Sequence, residues 1–198
     1  MPIAVKFSNS DFDQLAVGTY SNCAIKTNGT LWCWGENGKG QLANGGTSNE
    51  PILQQVGSAT NWSRLSGGGQ HICATNTDGE LWCWGRNEDG ELGQGGTTPY
   101  ENGELQVGSD TDWELLAMGE RHSCASKTDG SLYCWGDNEY GELGDGTTTD
   151  RPDPTLIGGP WNNSNTTTVW RQVEAGNIHT CGIRDDGTLW CWGDNNES

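Results

Sequence analysis

Eight cysteines fall into four pairs, Cys23 with Cys33, Cys73 with Cys83, Cys124 with Cys134 and Cys181 with Cys191, the members of each pair ten positions apart. Thiols so placed could form disulfides, hold zinc or remain reduced. His71, His122 and His179 each stand two residues ahead of the first cysteine of a pair, where the first copy has Ser21. Imidazoles could ligate a metal or act as bases. Asp185 adjoins Asp186, and Asp145 and Asp150 share a Gly-rich stretch. Hydrolysis needs a nucleophile, a base and an orienting acid that differ from one another and meet at one place. Here each candidate recurs at an equivalent position of a repeat, and Asp before Gly at 185–187 is explained by turn geometry. No catalytic residue, and no enzymatic activity, is expected.

The cysteine spacing fixes the local structure. The central segments read NCAIKTNGTLWCWG, ICATNTDGELWCWG, SCASKTDGSLYCWG and TCGIRDDGTLWCWG, so the loop inside each pair is TNG, TDG or DDG. A three-residue hairpin loop with Gly in its left-handed third position pairs its flanking residues. Lys26 then lies opposite Thr30, and counting outward brings Cys23 opposite Cys33 in a non-hydrogen-bonded pair. Such pairs bring Cα atoms to about 4.5 Å, within the span of a disulfide. Four hairpin disulfides follow: Cys23–Cys33, Cys73–Cys83, Cys124–Cys134 and Cys181–Cys191. Zinc is disfavoured because no copy carries CxxC, and buried free thiols are the other alternative. The same register sets Ile25 and Leu31 on the cysteine face, and Ala24 opposite Trp32 on the other. Ala74 with Trp82, Ala125 with Tyr133 and Gly182 with Trp190 repeat this small-against-large pairing, which suits a sheet buried on both faces. The tryptophans therefore read as core.

Around each hairpin lie further strands. Phe12 and Leu15, Trp62 and Leu65, Trp113 and Leu116, and Trp170 and Val173 anchor a strand ahead of it, followed by Gly18, Gly68, Gly119 and Gly176. Another extended segment lies upstream, in PILQQVG, ELQVG and PTLIG and in the opening PIAV. Four strands in a period of about fifty residues describe a propeller blade. The expected fold is all-β: a β-propeller, or a propeller arc of four blades, each a four-stranded antiparallel sheet with one hairpin disulfide. Residues 1–198 form a single repeat domain with units near 1–48, 49–100, 101–152 and 153–198. The insertion GGPWNNSNTTT around Trp161 falls in a loop of the last unit.

Composition agrees. Gly contributes 31 residues and Trp 11 while only 32% of the chain is hydrophobic, as in short strands joined by tight turns. Ten Lys and Arg against 27 Asp and Glu give a net charge of −17, which repels phosphate backbones and anionic lipid. Nucleic acid is not expected as a partner. No run reaches the roughly 18 apolar residues of a membrane span, so no membrane insertion is expected. The disulfides call for an oxidising compartment, extracellular or at the cell surface. The opening MPIAVKFSNSDF has no basic n-region or apolar h-region, so an export signal must be removed or lie outside these residues.

The segments LWCWGENGKGQL, LWCWGRNEDGELGQG and LYCWGDNEYGELGDG, with AMGERHSCASKTDG and EAGNIHTCGIRDDG, resemble the repeat of the regulator of chromosome condensation family across nearly the whole chain. The cysteine-bearing hairpins look like those of secreted and surface bacterial members. The resemblance implies a propeller, usually of seven blades, in a family that serves nucleotide exchange on a small GTPase, chromatin docking, enzyme inhibition and extracellular binding. No exchange-factor loop can be matched residue by residue. Four units cannot close a ring of seven, which leaves a longer chain, a four-bladed closure or assembly of copies.

A non-catalytic recognition module follows as the expected function, presenting loops to a protein or glycan. The loops after the hairpins vary around a constant frame at Gly40, Asp89 and Tyr140, and Trp161 adds an aromatic of the kind that anchors interfaces. Tyr140, Asp89 and Trp161 are the expected binding residues. The alternative is a structural subunit that assembles with copies of itself into a ring or fibre through its terminal blades. No cofactor and no metal site is expected: the Gly-rich loops lack the Lys and helix of a phosphate cradle, Asp145 and Asp150 match no EF-hand, and the histidines, held one per blade, read as structural hydrogen-bond groups. Sequons stand at Asn28, Asn61, Asn162, Asn165 and Asn196, with Asn28 and Asn61 in structural positions of the repeat.

Overall fold

The computed structural model describes residues 11–158 and 169–195. Its strands form four antiparallel sheets. The first holds β1 (Phe12–Val17), β2 (Ser21–Lys26), β3 (Leu31–Gly35) and β4 (Glu50–Val56); the second holds β5 (Trp62–Gly67), β6 (His71–Asn76), β7 (Leu81–Asn87) and β8 (Thr98–Gln106). The third holds β9 (Trp113–Met118), β10 (His122–Lys127), β11 (Leu132–Gly136) and β12 (Arg151–Ile157), and the fourth β13 (Trp170–Ala175), β14 (His179–Arg184) and β15 (Leu189–Gly193). Strands follow one another in chain order within each sheet.

The hairpin register is the one the spacing predicts. Cys23 faces Cys33, Ala24 faces Trp32 and Ile25 faces Leu31, and the other three hairpins repeat this. The paired cysteines lie 4.1–4.2 Å apart at Cα and are joined as four disulfides, with no free cysteine among the described residues. Gly29, Gly79, Gly130 and Gly187 close the turns at φ between 76° and 82°, a region that costs other residues steric strain.

One expectation shifts. The extended segment expected ahead of each hairpin closes the sheet of the preceding one, β4 on β3, β8 on β7 and β12 on β11. The sheets therefore span 12–56, 62–106, 113–157 and 170–193, out of step with units cut near 49, 101 and 153. The connection 36–49 brings the chain back to the outer edge of its own sheet, where β4 pairs with β3, and 57–61 then crosses to the axis to begin β5. The opening PIAV and the insertion carrying Trp161 lie outside the described residues.

Consecutive sheets stack face to face. The cysteine face of the first sheet (Cys23, Ile25, Leu31, Val56) meets Trp62, Leu65, Ala74 and Trp84 of the second in one cluster. Leu81 and Val107 meet Trp113 and Trp135, and Leu132 and Ile157 meet Trp170 and Val173, in the same way. Strands β1, β5, β9 and β13 pack on one another in order, which puts them at the axis of the arc. Glycines permit the closeness there: a Cβ on Gly68 would lie 2.4 Å from the carbonyl oxygen of Gly119. Because all four disulfides are local, full reduction and alkylation should label eight thiols that are silent without reductant, as read by intact mass. Replacing Cys124 and Cys134 together by Ala should lower the unfolding free energy by about 2 kcal/mol, the low end for a short loop, measured by urea titration.

Candidate functional site

The loops after β3, β7 and β11 sit at one end of the sheets, opposite the hairpin turns, and share one architecture. The side-chain oxygen of Asn37, Asn87 and Asn138 accepts from the backbone N–H of Leu42, Leu92 and Leu143 at 2.9, 3.0 and 3.1 Å. Those leucines are buried plugs. Two residues before Gln41, Glu91 and Glu142, the backbone N–H of Lys39, Asp89 and Tyr140 donates to their side-chain oxygens at 2.8–2.9 Å. Lys39, rather than Gly40, thus occupies the place of Asp89 and Tyr140. Gly40 holds the same left-handed turn as Gly90 and Gly141, and a Cβ on it would meet Asn102 at 2.7 Å. The frame is constant and its tip varies.

Each loop is clamped by the next sheet. The indole N–H of Trp84, Trp135 and Trp192 donates to the carbonyl oxygens of Gln41, Glu91 and Glu142 at 2.8–3.0 Å. The hydroxyls of Ser123 and Thr180 donate to the same Glu91 and Glu142 carbonyls, both at 2.8 Å. Their oxygens in turn lie 2.8 Å from Nε2 of His71 and His122. Since each hydroxyl proton is already given to a carbonyl, each imidazole donates from Nε2, which fixes its tautomer. His71 and His122 are fully buried, while His179 is exposed. His71 and His122 thus bind sheet to sheet through buried hydrogen bonds, and among the described residues no cluster of His, Cys or carboxylates is fit for a metal. Asp145 is engaged by Arg151 at 2.6 Å and by Thr147, and Asp150 accepts from the N–H of Asn138.

Charge gathers at the second loop in a way the sequence did not signal. Arg86 is buried against Glu91, with Asp89 at 2.8 Å and Glu88 at 2.9 Å; Lys39 of the first loop reaches Glu88 at 2.6 Å, and Arg121 lies 4.0 Å from Asp89. Burial pushes the Glu91 carboxyl up, with Arg86 opposing. Burial alone would lower Arg86, but the surrounding carboxylates outweigh it and hold the guanidinium above its usual range. Asp89 is therefore one member of a network joining three sheets. Tyr140 projects with 44% of its surface exposed. Trp161 lies outside the described residues.

Two models of the Regulator of chromosome condensation (RCC1) repeat match the chain, one over residues 28–75, 78–126 and 129–183, the other over 12–41, 62–91, 114–142 and 170–198. The chain belongs to this family. Ras guanine nucleotide exchange factor C of Dictyostelium discoideum is 36% identical over 185 residues, 93% of this chain and 11% of that protein. The human E3 ubiquitin-protein ligase HERC2 is 32% identical over 79 residues, 40% of this chain and 2% of the ligase. Yeast RCC1 (Prp20), solved with Kap60, superposes with a TM-score of 0.82 at 23% identity over 96% of this chain and 45% of its own. Human WBSCR16 gives 0.82 at 21% identity, over 96% and 50% respectively. Both likenesses are of the propeller fold, and the chain spans half or less of each of these relatives.

The buried imidazoles predict acid sensitivity. Burial first, and then the neighbouring charges, His122 and Arg86 for His71 and His179 for His122, lower His71 to about 3 and His122 to about 4. The unfolded chain takes these protons near 6.5, so stability is complete above that value and is lost as pH falls toward 4. The loss is on the order of 3–5 kcal/mol per imidazole at full titration, and the raised carboxyls of Glu91 and Glu142 oppose it. Urea midpoints between pH 7.5 and 4 should fall, and His71→Asn should flatten the slope.

Proposed function

We propose that the chain is a non-catalytic recognition module of an oxidising, extracellular compartment, which offers a protein partner the loop end of its propeller sheets. The observation that carries this is the loop design: three frames pinned by Asn, Gln or Glu and a Trp clamp hold Lys39, Asp89 and Tyr140 at equivalent tips. A binding surface gains affinity when its loops are ordered beforehand, and variable tips on a fixed frame give selectivity. Tyr140 supplies an exposed aromatic anchor of the kind enriched at interfaces, Asp89 and its network set the charge beside it, and Trp161 is a further contact of the same class. The solved complex of yeast RCC1 (Prp20) with Kap60 supports a protein as the partner. Four disulfides support the compartment. Immobilised chain should capture a partner that Tyr140→Ala retains at least tenfold less well; undiminished capture removes this face from the reading. A glycan array run in parallel reads the other partner class.

A second reading has its own observation. In the first sheet Leu15 and Val17 are 64% and 61% exposed, and in the fourth Leu189 is 67% exposed, whereas the equivalent Leu65, Leu31, Leu81 and Leu132 are buried. These are the two halves of the interface that consecutive sheets make within the chain. A second copy could join them head to tail, as a heterologous contact that builds a ring or a fibre. Light scattering should then give a mass above the chain's own 21.3 kDa that Leu189→Glu returns to monomer; a wild-type monomer at all concentrations rejects this reading.

A further inference from the structure

At the opposite end of the sheets, where the hairpin turns lie, three of the four repeats hold a cation against two aromatic rings. Lys26 Nζ lies 5.4 Å from the ring centre of Phe12 and 4.2 Å from that of Trp32. Lys127 Nζ lies 5.3 Å from Trp113 and 5.4 Å from Tyr133. Arg184 lies 4.9 Å from Trp170 and 4.3 Å from Trp190. Each cation is the last residue of the second strand of its sheet, and each ring pair comes from the strands on either side. Such contacts strengthen as water is excluded.

The second repeat keeps the rings and lacks the cation. Trp62 and Trp82 meet edge to face with centres 6.4 Å apart at 84°, but the residue between them is Asn76. A cavity of about 360 Å³ opens there, lined by Trp62, Trp82, Asn76, Asp78, Glu80 and Glu104 among others, within the roughly 300–1,000 Å³ of ligand sites. Trp62 is 7% exposed, and among the described residues its indole N–H has no partner, as in Trp113 and Trp170.

The carboxylates have moved with the cation. In the third repeat Asp110 and Asp112 pair with Lys127 at 2.7 and 3.1 Å, and the second repeat has Ala59 and Asn61 at those places. It gains Glu80 where the other copies have Thr30, Ser131 and Thr188. Asn76 holds this carboxylate by donating from Nδ2 to Glu80 Oε2 at 2.6 Å, while its Oδ1 accepts from the N–H of Asp78 and of Glu80 at 3.1 and 3.0 Å. Trp82 Nε1 reaches the same Glu80 oxygen at 3.4 Å. Among the described residues none of Asp78, Glu80 and Glu104 is in an ion pair.

We infer that the Trp62–Trp82 cavity is a binding site for an alkylammonium head group, which takes from outside the place that lysine or arginine fills in the other three repeats. The two rings stand at right angles, as Trp113 and Tyr133 do at 75° beside Lys127, and Glu80 and Glu104 supply the counter-charge. A quaternary or methylated ammonium suits the site because it needs no hydrogen-bond acceptors and loses little hydration on entering. The head group can come from a lysine side chain of a bound polypeptide or from a free small amine. This site is separate from the loops around Asp89 and Tyr140 and does not depend on them.

Calorimetric titration of the full chain tests the inference with three probes: choline, an acetylated peptide containing trimethyllysine, and 3,3-dimethylbutanol, the uncharged isostere of choline. Both ammonium probes should bind, the isostere at least tenfold more weakly. Asn76→Lys should place the repeat's own cation in the cavity and cut ammonium binding at least tenfold without lowering the thermal midpoint. Should that variant not fold, Glu80→Gln with Glu104→Gln is expected to weaken binding to a similar degree. Tighter binding of the peptide than of choline would identify a polypeptide source, and the reverse order a free amine. The inference is overturned if neither ammonium binds at millimolar concentration, if the isostere binds equally well, or if folded variants bind as the wild type does.

Discussion

The clamp between one sheet and the loop of the sheet before it holds the architecture together. A single carbonyl, that of Glu91, receives the indole N–H of Trp135 and the hydroxyl of Ser123, and Glu142 receives Trp192 and Thr180. A buried carbonyl left without such donors would cost on the order of 1–3 kcal/mol, so the loop has one favourable place to lie. The donors sit on strands whose register the disulfides fix. Their indoles also fill the face that receives the cysteine face of the preceding sheet. Register, sheet packing and loop order are thus one coupled constraint, and disturbing any of the three disturbs the others.

That coupling explains what the sequence made legible. Hairpin pairing is local: a three-residue turn and a spacing of ten determine which residues oppose, and side-chain alternation then assigns faces. The buried face of Leu31, Leu81 and Leu132 and the Trp face across from it could be read this way. Interactions that cross between repeats could not. The partner of His71 is Ser123, 52 residues away, at a position that reads Asn22, Ile72, Ser123 and Thr180 along the four copies; nothing in a single hairpin announces that pairing. The phase of the fourth strand was lost for a similar reason, because a repeat can be cut anywhere in its period and only hydrogen bonding decides where a sheet ends. The capture of Asp89 by Arg86 was not legible either, because that guanidinium is folded inward by Glu91.

The departures from the repeat carry more functional information than the repeat itself. Positions shared by all copies are accounted for by packing: the cysteines, the glycines at the axis, the asparagines that pin the loops. At the loop tips the frame leaves the side chain undetermined, which allows Lys39, Asp89 and Tyr140 to differ at no cost to the fold. Asn76 is a different kind of departure. It sits inside a packed motif, where Lys26, Lys127 and Arg184 each contribute attraction between a cation and two rings, so its change removes a stabilising contact that the surrounding residues were shaped to make.

The acidic excess bears on the loop end and the turn end in different ways. At the second loop, Arg86 draws Glu88, Asp89 and Glu91 into a network whose charges largely neutralise one another, so that loop offers shape more than a strong field. At the turns of the second sheet no basic residue among those described pairs with Asp78, Glu80 or Glu104, and the net charge of −17 adds to their potential. An anion is repelled from both ends. A cation gains little at the second loop, where Glu88, Asp89 and Glu91 are already paired, and more at the turns, where carboxylates outside the described ion pairs line a cavity with two aromatic rings. The loop and the turns of the same second sheet therefore select for different chemistry, one by surface shape and one by charge.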